Sequence, residues 1–180
     1  MNTRTSAIPE NIRLVRLEEN MVIPPFESED KDLNDFLLND AKNYLKSLLA
    51  VTYMYQTNDE VIAYFSLSND NLIKNDDKQP AWNRLNRAIP NDKRRRSYPA
   101  VKIGRLAVAK KYAGVGMGSR MVLTIKNMYI NEQQRAGCRF LTLDAYRDAL
   151  PFYQKNKFHT LTEQDCHDDT RTMYFDLKTI

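Results

Sequence analysis

The chain has 180 residues, 42% of them apolar and 28% charged, with a formal net charge of +4. That length supports one domain with a substantial core, and no run of about 18 apolar residues suggests a membrane-spanning helix. No apolar run follows Arg4, so no secretory leader is expected, and the two distant cysteines, Cys138 and Cys166, make neither a disulfide framework nor a metal-ligand pattern, which leaves the cytoplasm as the expected compartment.

Residues 12–17 alternate apolar and polar side chains, as a half-buried strand does. After Pro24 and Pro25, residues 30–50 carry Leu33, Phe36, Leu37, Ala41, Tyr44, Leu45, Leu48 and Leu49 at steps of three and four. That spacing predicts an amphipathic helix, with Ser28 or Asp30 as its cap. Residues 51–56 and 61–68 are rich in aromatic and β-branched side chains and are joined by a short polar link, the pattern of a hairpin. Residues 69–99 hold eight Lys or Arg against four Asp, so this segment alone accounts for the net charge. It reads as a solvated basic loop, or as a patch that attracts a polyanion, with one or two helical turns at 81–88.

Residues 101–109 predict a strand, and Gly104 within it suggests a bulge or a close backbone approach. Residues 118–132 carry Met121, Val122, Ile125, Met128 and Tyr129 at helical spacing, with Gly137 beyond the end. A strand at 140–144, a short helix at 148–155 and strands at 159–161 and 172–177 complete the chain. Strands with interspersed helices imply a mixed sheet covered by helices. No domain boundary is apparent, so residues 1–180 are expected to form a single domain.

Three of the five glycines, Gly114, Gly116 and Gly118, lie within five residues, between the strand at 101–109 and the helix that follows. Glycines permit positive φ and close approach. The first amides of a helix lack internal partners, and the helix dipole favours negative charge there. Strand, glycine turn and helix start together predict a phosphate site. A Walker loop would need Lys before Ser119, and a dinucleotide turn would need GxGxxG early in a βαβ unit; neither pattern is present.

The stretch from Arg105-Leu106-Ala107-Val108 through Lys111-Tyr112-Ala113-Gly114-Val115-Gly116 resembles the central motif of the GNAT acetyltransferase superfamily, with Lys111 where Arg or Gln is usual. The resemblance implies an α+β three-layer fold with a mixed, mostly antiparallel sheet of six to seven strands flanked by helices. It implies acetyl-coenzyme A as co-substrate and no metal. Its pyrophosphate would be cradled at Lys111, Ala113, Gly114, Val115, Gly116, Met117, Gly118 and Ser119. The backbone of Leu106, Ala107 and Val108 would pair with the pantetheine arm.

A second stretch, Ala149-Leu150-Pro151-Phe152-Tyr153 through Phe158, resembles the other GNAT signature, with Lys157 in place of its glycine and Tyr146 where many members have Asn. Tyr153 is the candidate general acid for the leaving thiolate, since a phenol of pKa about 10 can donate to it. Residues 99–109 contain no Asp or Glu, so the strand supplies no general base. That absence leans towards an acceptor of low pKa, such as an α-amine at about 7.7–8.0, or towards a water-relayed base. Glu60 and Asp70 flank a neighbouring strand.

Residues 61–69, the basic segment with Arg87-Ala88-Ile89-Pro90, and residues 100–108 resemble one GNAT subgroup. That subgroup contains toxins of toxin–antitoxin pairs that acetylate the α-amino group of aminoacyl-tRNA. The resemblance implies an amine acceptor, charged tRNA as its narrower form, and an antitoxin protein as partner; a homodimer is compatible with it, and no membrane is involved. Arg94, Arg95 and Arg96 would then contact phosphates. A non-catalytic nucleic-acid-binding module is the alternative, although Trp82 and Tyr98 alone interleave with the basic segment and make a poor stacking platform. His159, Cys166 and His167, with Asp165, Asp168 and Asp169 nearby, match no zinc spacing and read as a polar loop.

Overall fold

The computed structural model describes residues 6–74, 79–90, 95–130 and 136–179. Seven strands form one sheet in the order β1-β2-β3-β4-β5-β7-β6. They are β1 (Arg13–Arg16), β2 (Val51–Gln56), β3 (Val61–Ile73), β4 (Ser97–Val108), β5 (Phe140–Tyr146), β6 (His159–Thr160) and β7 (Thr170–Asp176). The helices are α1 (Lys31–Asp35), α2 (Ala41–Lys46), α3 (Gln79–Arg87), α4 (Met117–Ile130) and α5 (Leu150–Lys155). This is the mixed, mostly antiparallel α+β arrangement that the motifs imply. Among the described residues, no helix is long and apolar enough to cross a membrane. The chain divides into two compact units, Met1–Asn69 with Ile103–Ile125, and Asp70–Lys102 with Lys126–Ile180.

In the first unit, β2 pairs antiparallel with β1 and with β3. Met54 lies opposite Tyr64, and Tyr55 opposite Ala63. Directly opposed residues share a face and successive residues alternate, so Tyr55 and Tyr64 point to opposite sides. The Tyr55 hydroxyl meets Thr124 Oγ1 of α4 at 2.5 Å. Tyr64 donates to the Leu33 carbonyl of α1 at 2.7 Å and stacks on Phe36 at 6.2 Å. One face is therefore covered by α4 and the other by α1 and the turn after it.

The helix expected over 30–50 is broken. Asp30 caps α1, accepting from the amides of Asp32 and Leu33 at 2.8 and 3.4 Å, whereas Ser28 bonds to Asn34 instead. Phe36–Asp40 then forms a π-helical turn before α2. The extra residue in such a turn rotates the following side chains by roughly 100°. Phe36, Leu37 and Ala41 are buried, but Tyr44, Leu48 and Leu49, expected on the buried face, are exposed. Leu48 has φ 56 and closes α2 in the left-handed region.

In the second unit, β5 pairs with β4 in parallel through Ala100–Lys102 and with β7 in antiparallel through its whole length. One face carries Ala100, Phe140 and Tyr174, packed with Leu72, Trp82, Leu85, Ile89, Tyr98 and Leu161. The opposite face carries Leu141 and Phe175, with Phe158 against Phe175 at 5.6 Å.

The described residues of the segment 69–99 are thus not a solvated loop. β3 runs on to Ile73, α3 supplies Trp82 and Leu85, and β4 already begins at Ser97. Trp82 stacks on Tyr98 at 5.3 Å, and both rings are buried. The basic side chains hide an amphipathic helix whose apolar residues fill a core.

Candidate functional site

The glycine turn lies in the first unit. β4 ends with Leu106, Ala107 and Val108, of which Ala107 is buried and the other two half-buried. A 3-10 turn at Lys110–Tyr112 redirects the chain. Gly114 follows with φ +79 and Gly116 with φ +86, and a Cβ built on either would meet nothing within 4 Å. A left-handed backbone excludes most side chains, so both positions need glycine for conformation, and the space before them is open.

The Arg120 amide donates to the Gly116 carbonyl at 3.1 Å, which makes Gly116 the residue just before α4. Met117 is 1% exposed and sits with Met121, Val122 and Ile125 among the fully or almost fully buried residues of α4. Its side chain anchors the helix, so only its backbone is free for a ligand. α4 is 14 residues long, enough to present a positive dipole end at Met117 and Gly118. Ala113 is exposed, and Val115 and Ser119 are half-buried.

Lys111, at the family's Arg or Gln position, is exposed and donates to Glu60 Oε1 at 2.7 Å. Tyr112 donates to the same oxygen at 2.7 Å. Burial raises the Glu60 pKa, but the hydrogen bonds from Lys111 and Tyr112 outweigh it and hold the carboxyl below its usual range. Glu60 therefore braces the turn and is a poor proton acceptor. The motif residue Arg105 makes contacts that the motif does not predict: its guanidinium lies 5.0 Å over the Phe36 ring and donates to the Gly104 carbonyl at 2.9 Å. No spacing rule links Arg105 to a ring in the π-helical turn.

Tyr153 lies in the second unit on α5, which tolerates Pro151 in its first turn. Its ring contacts Phe152 at 4.9 Å and Phe158 at 5.8 Å. Burial pushes its phenol up to about 12. The helix ends through Lys157, which has φ 68. The Lys157 amide donates to Gln154 at 2.9 Å and the Phe158 amide to Tyr153 at 3.0 Å. The family's glycine thus marks a left-handed helix end, and this chain keeps the conformation with a lysine.

Lys126 of α4, only 7% exposed, secures the same turn. Its ammonium donates to the Asn156 carbonyl at 2.7 Å and sits 3.6 Å over the Phe175 ring. Burial, with a smaller contribution from the Lys157 charge, lowers its pKa to about 8. A lysine on an otherwise apolar helix face was the available signal in the sequence.

Arg95 and Arg96 are exposed, as are Arg84 and Arg87 on α3; Arg94 lies outside the described residues. The Arg95 amide is fixed by the Tyr98 hydroxyl at 3.0 Å. Asp165 is engaged by Arg171 and by the Thr172 amide, both at 3.0 Å, and the Cys166 and Asp168 carbonyls accept from Arg147. Among the described residues, no group of three or more His, Cys, Asp or Glu is placed to hold a metal.

Residues 88–175 match the family model described as an acetyltransferase (GNAT) domain. Among solved structures, the chain is similar to the toxin AtaT complexed with acetyl-methionyl-tRNAfMet, with 19% identity, a TM-score of 0.75, and coverage of 93% of this chain and 96% of that one. A tyrosine-to-phenylalanine mutant of the toxin KacT gives 19% identity, a TM-score of 0.75, and 94% and 97% coverage. A corresponding AtaT mutant, bound to the C-terminus of the antitoxin AtaR and to acetyl-CoA, gives 18% identity, a TM-score of 0.73, and 94% and 96% coverage. At these identities the likeness is one of fold. With the strand–turn–helix motif and the Phe152-Tyr153 signature both inside the matched region, residues 88–175 carry a GNAT acetyltransferase domain.

Proposed function

We propose that the chain binds acetyl-coenzyme A at the glycine turn and transfers its acetyl group to an amine by direct attack on the thioester. The observation that carries this reading is the pair of left-handed glycines, Gly114 and Gly116, with open space where their side chains would stand, leading into a 14-residue helix. Backbone amides of Lys111 and of Gly114 to Ser119 would hold the pyrophosphate, those of Tyr112 and Ala113 being engaged by the Ala109 and Lys110 carbonyls at 2.8 and 3.2 Å, and the strand end Leu106 to Val108 would align the pantetheine arm. The co-substrate supplies an activated acyl group and a thiolate leaving group. Tyr153 gives its phenolic proton to that thiolate; a phenol held at about 12 stays protonated throughout the physiological range.

The narrower acceptor is the α-amine of aminoacyl-tRNA, which would also place the protein in the cytoplasm with an antitoxin protein as partner. The exposed Arg84, Arg87, Arg95 and Arg96 supply cations for a phosphate backbone. The lack of any Asp or Glu at 99–109 fits an acceptor that is already partly neutral. Similar structures include one of AtaT with acetyl-methionyl-tRNAfMet and one with its antitoxin. Labelled acetyl-coenzyme A offered with charged tRNA and with a lysine peptide in parallel tests this: label is expected on the tRNA alone. Label on the peptide alone would overturn the tRNA reading and keep the enzyme; tRNA retention without label would favour a binding module.

A further inference from the structure

The strand carrying the family motif has no carboxylate, yet the second unit gathers two from its neighbours. Asp70 on β3 and Asp144 on β5 both line one cavity of 330 Å³, together with Leu72, Leu161 and Thr172. The cavity lies at the last pair of the β4–β5 ladder, Lys102 opposite Thr142. The register puts Lys102, Thr142, Asp144 and Thr172 on one face of the sheet. Leu72 and Leu161, 3% and 2% exposed, form an apolar floor continuous with the core.

The two carboxylates are not equivalent. Asp144 is neutralised, receiving Lys102 Nζ at 2.6 Å and the Thr172 hydroxyl at 3.0 Å. Asp70 receives the Thr142 hydroxyl and, among the described residues, no cation. Among the described residues, one uncompensated negative charge therefore stands at a cavity of small-molecule size, whose other lining charges, Lys102 and Asp144, cancel. An anionic ligand is repelled by that charge, whereas an amine donates N–H bonds to it, and charge-assisted bonds of this kind are the strong ones.

We propose that this cavity is the acceptor pocket and that Asp70 is the group that holds the acceptor amine and takes its proton. The inference rests on the reading that the chain acetylates an amine. It also answers the missing carboxylate on β4: the proton acceptor comes from β3. The nitrogen forms its bond to the acetyl carbon while the carbon–sulfur bond breaks. The proton leaving nitrogen passes to Asp70, and the proton gained by sulfur comes from Tyr153. Solvent exchange returns one proton from Asp70 and one to Tyr153, so amine and thioester become amide and thiol with atoms and charge in balance.

The test compares wild type with Asp70→Asn and Asp70→Glu, using an aminoacyl-nucleoside analogue as acceptor. Asp70→Asn should lower kcat/KM for the acceptor about tenfold or more and leave acetyl-coenzyme A affinity unchanged. Asp70→Glu should restore part of the loss. On wild type alone, the analogue should bind at least about tenfold more tightly than its deamino counterpart, which carries hydrogen in place of the amine; this arm stands even if Asp70→Asn fails to fold. Active wild type with an undiminished kcat/KM in Asp70→Asn, or equal affinity for the two analogues, would overturn the pocket. Wild type that acetylates no amine at all would instead remove the enzyme reading beneath it.

Discussion

On the proposed reading, the glycine turn at 109–119 and the basic segment at 69–99 would serve the reaction in different ways. The turn works through backbone: two positive-φ glycines and a helix start, with side chains that either anchor the helix, as Met117 does, or brace the loop, as Lys111 does on Glu60. The basic segment works through side chains on both surfaces of one helix: Trp82 and Leu85 inward, Arg84 and Arg87 outward. A site built from backbone is local and can be read from a short motif. A site built from side chains depends on which surface each one occupies, and charge alone conceals that.

The contrast can be broken at several points. The largest effect is expected from Tyr153→Phe, which should lower kcat by roughly 10²–10⁴-fold if the phenol is the acid, with acetyl-coenzyme A affinity intact by calorimetry. Undiminished turnover would leave Tyr153 as a packing residue beside Phe152. Next, Trp82→Ala should cost about 3–5 kcal/mol in denaturant unfolding, because it empties a core position. A loss below about 0.5 kcal/mol, typical of surface sites, would return the segment to a solvated loop. Smaller still, Arg95→Ala with Arg96→Ala should weaken tRNA binding at low salt and flatten the salt dependence by about one log unit per lost contact. An unchanged slope would move the phosphate contacts elsewhere.

The smallest effect concerns pH. Lys126 is lowered in the folded chain to about 8, against an ordinary 10.5. Between those values the unfolded chain binds the extra proton, so stability should rise with pH across that window. Lys126→Met should remove this slope, with urea midpoints at pH 7.5 and 10 as the measure. A slope that survives the substitution would assign it to another group.

Much of the fold was legible because periodicity reports burial. The hairpin Val51–Gln56 with β3, the strand before the glycine turn and the helix after it follow their patterns closely. The helix over 30–50 was only half legible: a π-helical turn at Phe36–Asp40 shifts the apolar stripe, and no residue type announces such a turn. Gly114 and Gly116 were legible as conformational necessities. Lys157 was not, because a lysine in the left-handed region carries no sign of it in the sequence. The surroundings of Glu60 and Asp70 could not be told apart from sequence, since each has its partner far along the chain, Lys111 in one case and Thr142 in the other.

The central claim, that the glycine turn is the acetyl-donor site, is tested most directly by titrating acetyl-coenzyme A into wild type and Gly116→Val by calorimetry. Valine disfavours φ near +86 and places methyl groups in the open space before α4. Saturable binding by wild type, weakened about 100-fold or more in a folded Gly116→Val, is the expected result, a difference of roughly 2.7 kcal/mol. Equal affinity in the two proteins would contradict it.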